Sequence, residues 1–286
     1  MSYSIQHNSF AALLGIALTA SVFTGCDVKA NLKVGSFSKK TDDAEAEQKA
    51  LAEVERNSGL AAFKRKDFKT AVAHFTAAAE KGDAEAQYML AMCCGEGKGM
   101  EQDAAKSLEW ALQSAEQGFS KAQFVAGMCY MGGGEGIPKD TEKGETWVRK
   151  SIDGLREAAE NGDVEALSYL GLCYLEGIGV EKDKEQALEL LRKAGELGSG
   201  EAQFAIGVLC MQEKKLDEAV DWFRKAAGND SYEAMLFLGR IYENGMKNVR
   251  QDKTAAEKWY KKAAAGTDST IVNEAKSSLN RLKNKK

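Results

Sequence analysis

Histidine and proline are both scarce in this chain of 286 residues, which contains two histidines and one proline. His7 lies in the extreme N-terminal stretch, so only His74 is left for chemistry, and a histidine-based metal site or catalytic triad is close to excluded. His74 stands at a helix position that carries tryptophan in similar stretches of the chain, and we interpret it as a residue at the edge of the core. The single proline, Pro138, falls in a glycine-rich connection, where it interrupts no helix.

The chain also lacks any excess of positive charge. Its 39 lysines and arginines are outnumbered by 43 aspartates and glutamates, for a net charge of −4, and the two signs are interspersed. Without a basic stripe, nucleic acid is not an expected partner. The glycine-rich loops lack the G-K-[S/T] motif and follow predicted helices rather than strands, so they do not indicate a phosphate site. We predict no cofactor.

Cysteines are present but do not form a framework. Cys26 belongs to the N-terminal segment; the other five fall at two adjacent positions of a recurring unit, where they act as small core hydrophobes. These five are Cys93, Cys94, Cys129, Cys173 and Cys210. Equivalent positions in adjacent units lie about 8–10 Å apart, too far for an undistorted disulfide. Core packing is the favoured interpretation, with one disulfide or a metal site as alternatives, and the sequence leaves their redox state open.

A repeat dominates what is present. The stretch DVEALSYLGLCYLEGIGVEKD, residues 163–183, recurs in altered copies, each marked by an anchor alanine. The anchors are Ala86, Ala122, Ala166, Ala202, Ala234 and Ala275, at spacings of 36, 44, 36, 32 and 41 residues. Spacings of this size predict stacked helical hairpins, each too small to bury its own apolar face. The chain should therefore fold as one continuous stack.

Each predicted unit has two helices with different residue types. The first carries a small residue such as Gly171, which lets two helix backbones approach closely. The second carries a tryptophan and ends at a glycine such as Gly162, which can take a left-handed conformation.

Two spacings depart from the rest. The 32-residue spacing predicts a connection shortened to residues 212–216. The 44-residue spacing predicts seven extra helical residues, about two turns, in the third unit. We expect their end, about residues 151–160, to protrude, either as a partner contact or as a tolerated insertion.

The combined pattern W-x-x-x-A-A-x-x-G-D-x-x-A-x-x-x-L-G-x-x-Y-x-x-G-x-G-V-x-x-D resembles the Sel1-like repeat, a relative of the tetratricopeptide repeat, over about residues 68–284. The resemblance implies an all-α fold, an α-solenoid of antiparallel helix pairs wound as a right-handed superhelix. It also implies a non-enzymatic scaffold, here expected to be a monomer, that binds a protein or peptide on its concave face.

Some cysteine-rich Sel1-like proteins are secreted hydrolases of the β-lactamase type, and this is the alternative function. In that group each repeat pairs two cysteines eight residues apart. At the corresponding places this chain has Ala79 with Gln87, Ala115 with Gln123 and Gly195 with Gln203. Because the cysteine pairs are absent, we predict that the protein is not an enzyme.

The N-terminal segment differs from the rest in composition. Residues 1–26 contain no Lys, Arg, Asp or Glu, and their apolar run ends in Phe23-Thr24-Gly25-Cys26, which resembles a bacterial lipobox. We predict a signal peptide with lipidation at Cys26, which would place an exported lipoprotein on a membrane in the periplasm or at the cell surface. An ordinary cleaved signal, an uncleaved anchor and a cytosolic protein are the alternatives.

The remaining boundaries follow from composition and periodicity. Polar residues 27–40 predict a flexible tether, and residues 41–286 the repeat solenoid of about six units. The solenoid opens with a half-repeat over residues 41–66, whose Leu51, Val54 and Ala61 share one stripe. It closes with a cap helix over residues 269–284, where Val272, Ala275, Leu279 and Leu282 share one side and polar residues cover the rest.

Overall fold

We analysed a computed structural model of the chain, which describes residues 38–134, 136–246 and 249–284. In these ranges the protein is all-α, and apart from two isolated β-bridges all regular structure is helical. The thirteen helices are α1 (Ser38–Lys64), α2 (Phe68–Ala79), α3 (Ala84–Glu96), α4 (Ala104–Glu116), α5 (Ser120–Gly132), α6 (Thr141–Glu160), α7 (Val164–Glu176), α8 (Lys184–Glu196), α9 (Gly200–Gln212), α10 (Leu216–Gly228), α11 (Tyr232–Asn244), α12 (Lys253–Ala263) and α13 (Ser269–Asn284). The signal peptide predicted over residues 1–26, with Cys26, lies outside the described residues, as does most of the predicted tether; residues 38–40 of that tether are helical.

The helices form six hairpins in chain order, from α1 with α2 to α11 with α12, and each hairpin packs on the next. The apolar core consists of three clusters that follow one another along the stack, as expected when each hairpin shares its apolar face with its neighbours. The predicted all-α solenoid is therefore confirmed.

Aspartates start the second helix of most hairpins. Each accepts a hydrogen bond from a backbone N–H in the first turn of its helix, which satisfies a donor that would otherwise have no partner. They are Asp67, Asp103, Asp140, Asp183 and Asp252. The last letter of the loop motif G-x-G-V-x-x-D is thus the residue that caps the following helix.

Glycines determine how closely the two helices of a hairpin approach. A Cβ added at Gly207 would lie 2.6 Å from the ring of Phe223, and one added at Gly171 would lie 2.9 Å from Leu191 Cγ. The glycine that ends the second helix has a different role. Gly82 and Gly162 have φ values of +86° and +81°, a region that residues with a side chain rarely adopt. Both predicted roles of glycine are confirmed.

Buried glutamines occupy the places where the hydrolase group has cysteine pairs. The side-chain Nε2 of each glutamine donates to the backbone oxygen of the residue eight positions earlier, across the turn between two hairpins. The donor–acceptor distances are 3.3 Å from Gln87 to Ala79, 3.1 Å from Gln123 to Ala115 and 2.7 Å from Gln203 to Gly195. Hydrogen bonds from glutamine side chains therefore hold these turns together.

The third hairpin confirms one prediction and corrects another. Helix α6 has 20 residues against 13 in α4 and α8, so the seven extra residues are present. They do not protrude, because Ser151, Ile152 and Leu155 are buried and Ser120 leaves no room for a side chain at Gly154. The extra turns continue the apolar stripe of α6 and pack into the core. The predicted protrusion is therefore wrong, while a partner contact through the exposed side of this segment, with Asp153, Arg156 and Glu157, stays a prediction.

The two ends of the stack differ. In α13, over the residues predicted as the cap helix, Ala275 and Leu282 are buried and Val272 and Leu279 are partly buried. In α1 the predicted stripe exists but faces solvent, and the described residues include no hairpin before α1. Leu51 and Val54 are 51% and 62% exposed, and α1 packs on α2 through its opposite side, with Ala52 and Ala62. Within the described ranges, no helix has the length and apolar character needed to cross a membrane.

Candidate functional site

The first helices of the hairpins converge on the inside of the curve. Tyr88 in α3 and Tyr169 in α7 belong to the second and fourth hairpins, with the third hairpin between them. Their hydroxyl oxygens are nevertheless only 3.0 Å from each other. Both tyrosines are buried, and Phe124 in α5 stacks on Tyr169 with ring centroids 4.4 Å apart. Because helices of alternate hairpins touch on this side only if the stack bends toward it, the odd-numbered helices line the concave face.

The curvature also brings distant turns together. Lys66, in the turn of the first hairpin, donates to Asp230, which directly precedes α11, with Nζ and Oδ2 2.7 Å apart. Both side chains are exposed, so this ion pair contributes little to stability. It shows that the beginning of the stack meets the turn before the sixth hairpin, at the rim of the concave face.

One position per hairpin supplies a charge to a row along these helices. It is the residue before the anchor alanine, which is the second residue of α3, α5, α7, α9 and α11 and the sixth residue of α13. The row consists of Glu85, Lys121, Glu165, Glu201, Glu233 and Glu274. Because all six occupy the same position of the repeat, they lie on equivalent surfaces of successive hairpins.

Three of these glutamates have a cation from the preceding hairpin. Arg56 lies 3.2 Å from Glu85, and Lys121 lies 2.9 Å from Glu165. Arg240 forms an ion pair with Glu274. Each pair links consecutive odd-numbered helices, so each of these glutamates has a cation within the protein, although Arg56 also pairs with Asp83 and Lys121 with Asp163.

Glu201 and Glu233 have no such cation. Glu233 accepts a hydrogen bond from the hydroxyl of Ser231 at 3.1 Å. For Glu201, the part of the chain that the structure describes offers neither a hydrogen bond nor an ion pair. Glu96, at the end of α3, also acts electrostatically on both residues. We name Glu96, Glu165, Glu201 and Glu233 the carboxylate cluster.

The surroundings of the carboxylate cluster raise the pKa values of two of its glutamates. Enclosure by the protein raises the pKa of Glu201 to about 8, and the negative charges of Glu165, Glu96 and Glu233 add to this, while Lys98 opposes it. The Glu201 side chain is nevertheless exposed at the surface, so solvent screening weakens both contributions to this shift. Burial raises the pKa of Glu233 as well, with Asp268 and Glu96 adding to it. A cation placed here would favour ionised carboxylates.

The remaining candidate residues have structural roles. All five described cysteines are free and buried. Burial raises the pKa of the Cys93, Cys129 and Cys173 thiols to about 12, so they are poor nucleophiles, and their predicted core packing is confirmed. His74 Nδ1 lies 2.7 Å from Glu55 Oε2 at the edge of the first hairpin. Over the described ranges, no group of three or more His, Cys, Asp or Glu side chains is arranged to hold a metal ion.

Sequence reasoning missed the carboxylate cluster. Its signal was the glutamate of the recurring E-A-x dipeptide, which marked the anchor alanines but was given no role. The predicted lipidation site Cys26 lies outside the described residues and stays a prediction.

Comparison with known proteins identifies the repeat. The family model "Sel1 repeat" matches residues 51–83, 84–119, 120–154, 164–199 and 233–268. A "Tetratricopeptide repeat" model matches residues 182–234, which include the shortened connection. The matches to the Sel1 repeat model cover more than half of the chain.

Curated relatives share these repeats but are longer. The chain is 29% identical over 165 residues to rat "DAP3-binding cell death enhancer 1", covering 57% of this chain and 31% of the relative. It is 25% identical over 264 residues to "Chitin synthase regulator SKT5" of Saccharomyces cerevisiae, covering 76% and 37%. The chain thus spans about a third of the length of these relatives. Their names give the hydrolase alternative no support.

A solved Sel1 repeat protein from Oxalobacter formigenes is 23% identical, with a TM-score of 0.46, covering 80% of this chain and 99% of that one. Sel1 repeat proteins generally act as protein-interaction scaffolds, and the relatives above are named for binding or regulation. On the extent of the matches to the repeat model, the chain belongs to the Sel1 repeat family.

Proposed function

We propose that the protein is a non-enzymatic scaffold that binds a segment of another protein on its concave face, at the carboxylate cluster. The observation that carries this proposal is that, among the described residues, the carboxyl groups of Glu201 and Glu233 form no ion pair, so a cation from a partner could bind them and favour their ionised form. At this position Glu85, Glu165 and Glu274 each have an internal cation, whereas these two do not.

The unbalanced charges define the chemistry of the partner. A Lys or Arg side chain between Glu201 and Glu233 would supply the missing cation and relieve the repulsion among the carboxylates. Around the cluster, Tyr232 and Phe237 are partly buried and offer apolar surface on the same helix as Glu233. The proposed ligand is therefore a basic segment with apolar residues beside its cation.

A peptide selection on the full chain tests this proposal. Peptides selected from a random library should be enriched in Lys or Arg, and the variant Glu201→Gln/Glu233→Gln should lose that enrichment. The matched control is Glu196→Gln, because Glu196 is an exposed glutamate at the end of α8, outside the cluster. Enrichment that survives the double substitution, or that Glu196→Gln removes as well, would place binding elsewhere.

We further propose that the chain is exported and held at the cell envelope by a lipid on Cys26. The support is the uncharged, apolar stretch of residues 1–26 and its lipobox-like end. Metabolic labelling with palmitate should mark the wild-type chain and leave Cys26→Ala unlabelled. Equal labelling of both, or of neither, would reject lipidation at this cysteine.

A further inference from the structure

The first helix of the stack presents an unpartnered stripe, which we name the α1 stripe. It consists of Glu47, Leu51, Val54, Ser58, Ala61 and Arg65. The steps between these residues alternate between four and three, the spacing of a coiled-coil seam. Five of the six are exposed and Ser58 is partly so, with Leu51 and Val54 at its centre.

Every later hairpin buries the positions equivalent to Val54 and Ala61. Gly59 packs on Phe75 as Gly171 packs on Leu191, which aligns Val54 with the anchor alanines and Ala61 with Cys93, Cys129 and Cys173. The anchor alanines are 0% exposed, and these cysteines 0–3%. The α1 stripe is therefore the surface that a preceding hairpin would cover.

The opposite end of the stack cannot supply that cover. The outer surface of α13 is polar, with Asn273, Lys276, Ser277 and Asn280 exposed. Head-to-tail stacking of copies would bring this polar surface against the α1 stripe. A second copy can instead approach head to head, which uses the same surface twice and closes as a two-fold dimer.

We infer that the occupant of the α1 stripe is α1 of a second copy, aligned antiparallel. The two-fold axis then crosses α1 at the level of residue 56, midway along the stripe. Leu51 faces Ala61 of the other copy, and Val54 faces Ser58. Glu47 then faces Arg65 of the other copy, twice per dimer. A parallel alignment would place like charges together at both ends, so charge complementarity selects the antiparallel one.

Charge pairing between Glu47 and Arg65 requires two copies. The residues are 18 positions apart on one helix, about 27 Å at 1.5 Å per residue, and cannot meet within a chain. Neither residue has an ion pair among the described residues, and both are exposed, so substituting them leaves the fold intact. The seam spans only two heptads, so the dimer forms in a concentration-dependent manner. This departs from the monomer expected from the sequence, and it is independent of the concave face.

A charge-swap experiment tests the inference. The full chain is studied by sedimentation velocity over a concentration series, as wild type, Glu47→Arg, Arg65→Glu and the double variant. We expect wild type to dimerise, each single substitution to weaken the dimer by about tenfold, and the double variant to restore it. Glu196→Arg, which lies outside the α1 stripe, should behave as wild type.

Three results would overturn the inference. They are a wild-type chain that stays monomeric at every concentration, a dimer that neither single substitution weakens, and a double variant no better than the single ones. A stripe covered by residues 1–37 of the same chain would give the first result. Circular dichroism of each variant establishes that the fold is unchanged.

Discussion

At the residue scale, one glycine per hairpin controls how closely two helices pack. Gly207 faces the buried ring of Phe223, whereas Gly228, at the end of α10, has no atom within 4 Å of where its Cβ would be. We expect Gly207→Ala to lower the free energy of unfolding by about 1–3 kcal/mol through overpacking, less the roughly 1 kcal/mol that alanine gains in a helix. Urea denaturation measures both variants.

Gly228→Ala is the matched control for Gly207→Ala. It should leave stability unchanged or raise it slightly, because the added methyl group meets nothing. Equal stability of the two variants would show that Gly207 does not set the distance between α9 and α10.

The raised pKa of Glu201 predicts that the stability of the protein depends on pH. Its pKa is raised from 4.5 to about 8, so between these values the folded state holds a proton that the unfolded state releases. Stability should therefore fall as the pH rises from about 4.5 through 8. The groups that act on Glu201 are Glu165, Glu96 and Glu233, which raise its pKa, and Lys98, which lowers it.

The variant Glu201→Gln tests this dependence. It cannot ionise, so its melting temperature should fall less than that of wild type between pH 5 and 8.5, as measured by differential scanning fluorimetry. Glu196→Gln serves as the control and should follow wild type. Parallel curves for wild type and Glu201→Gln would contradict the raised pKa.

Many residue roles could be predicted from the sequence because they depend on local chain geometry. The left-handed glycine at Gly162, the capping Asp183 and the packing glycine Gly171 all follow from the repeat motif. The site is different, because the internal cations occupy different positions in their repeats. Relative to the anchor position, Arg56 lies two residues after it, Lys121 one before and Arg240 six after. The sequence pattern alone therefore does not show that Glu201 and Glu233 lack an internal cation.

At the element scale, buried glutamines join one hairpin to the next. Gln123 in α5 donates to the backbone oxygen of Ala115 in α4. We expect Gln123→Leu to lower the free energy of unfolding by about 1–3 kcal/mol, because it leaves a buried carbonyl without this donor. Urea denaturation measures the change.

Gln113→Leu, at an exposed position of α4, is the control for replacing a polar side chain by an apolar one. It should lower the free energy of unfolding much less than Gln123→Leu does. If the two substitutions cost the same, the hydrogen bond across the turn contributes nothing specific.

Two elements differ from the sequence prediction for the same physical reason. Periodicity identified both the stripe of α1 and the extra turns of α6, but the pattern of one helix does not say which neighbours cover it. The apolar side of the extra turns packs on α5 and is buried, whereas no described hairpin precedes α1 and its stripe is exposed. Burial depends on the whole stack.

At the scale of the whole molecule, the curvature of the stack brings glutamates of different hairpins close enough to form a site. Small rotations between hairpins add along the stack, so the sequence predicted stacking but not how far the ends would approach. The ion pair between Lys66 and Asp230, 164 residues apart in the sequence, shows that the stack curves enough to bring distant turns into contact. The carboxylate cluster forms because the same curvature gathers Glu96, Glu165, Glu201 and Glu233 on one face.

The proposed binding at this concave face is the central claim, and site-specific photo-crosslinking in the native cell tests it most directly. A photoreactive phenylalanine analogue replaces Phe237, on the same helix as Glu233, in one version of the chain and Glu196 in another, so that both carboxylates of the site are kept. The account predicts a defined protein crosslinked from position 237 only, through a Lys- or Arg-containing segment, and lost when Glu201 is changed to Lys. Crosslinks of equal yield from position 196, or a product at position 237 that Glu201→Lys leaves unchanged, would contradict it.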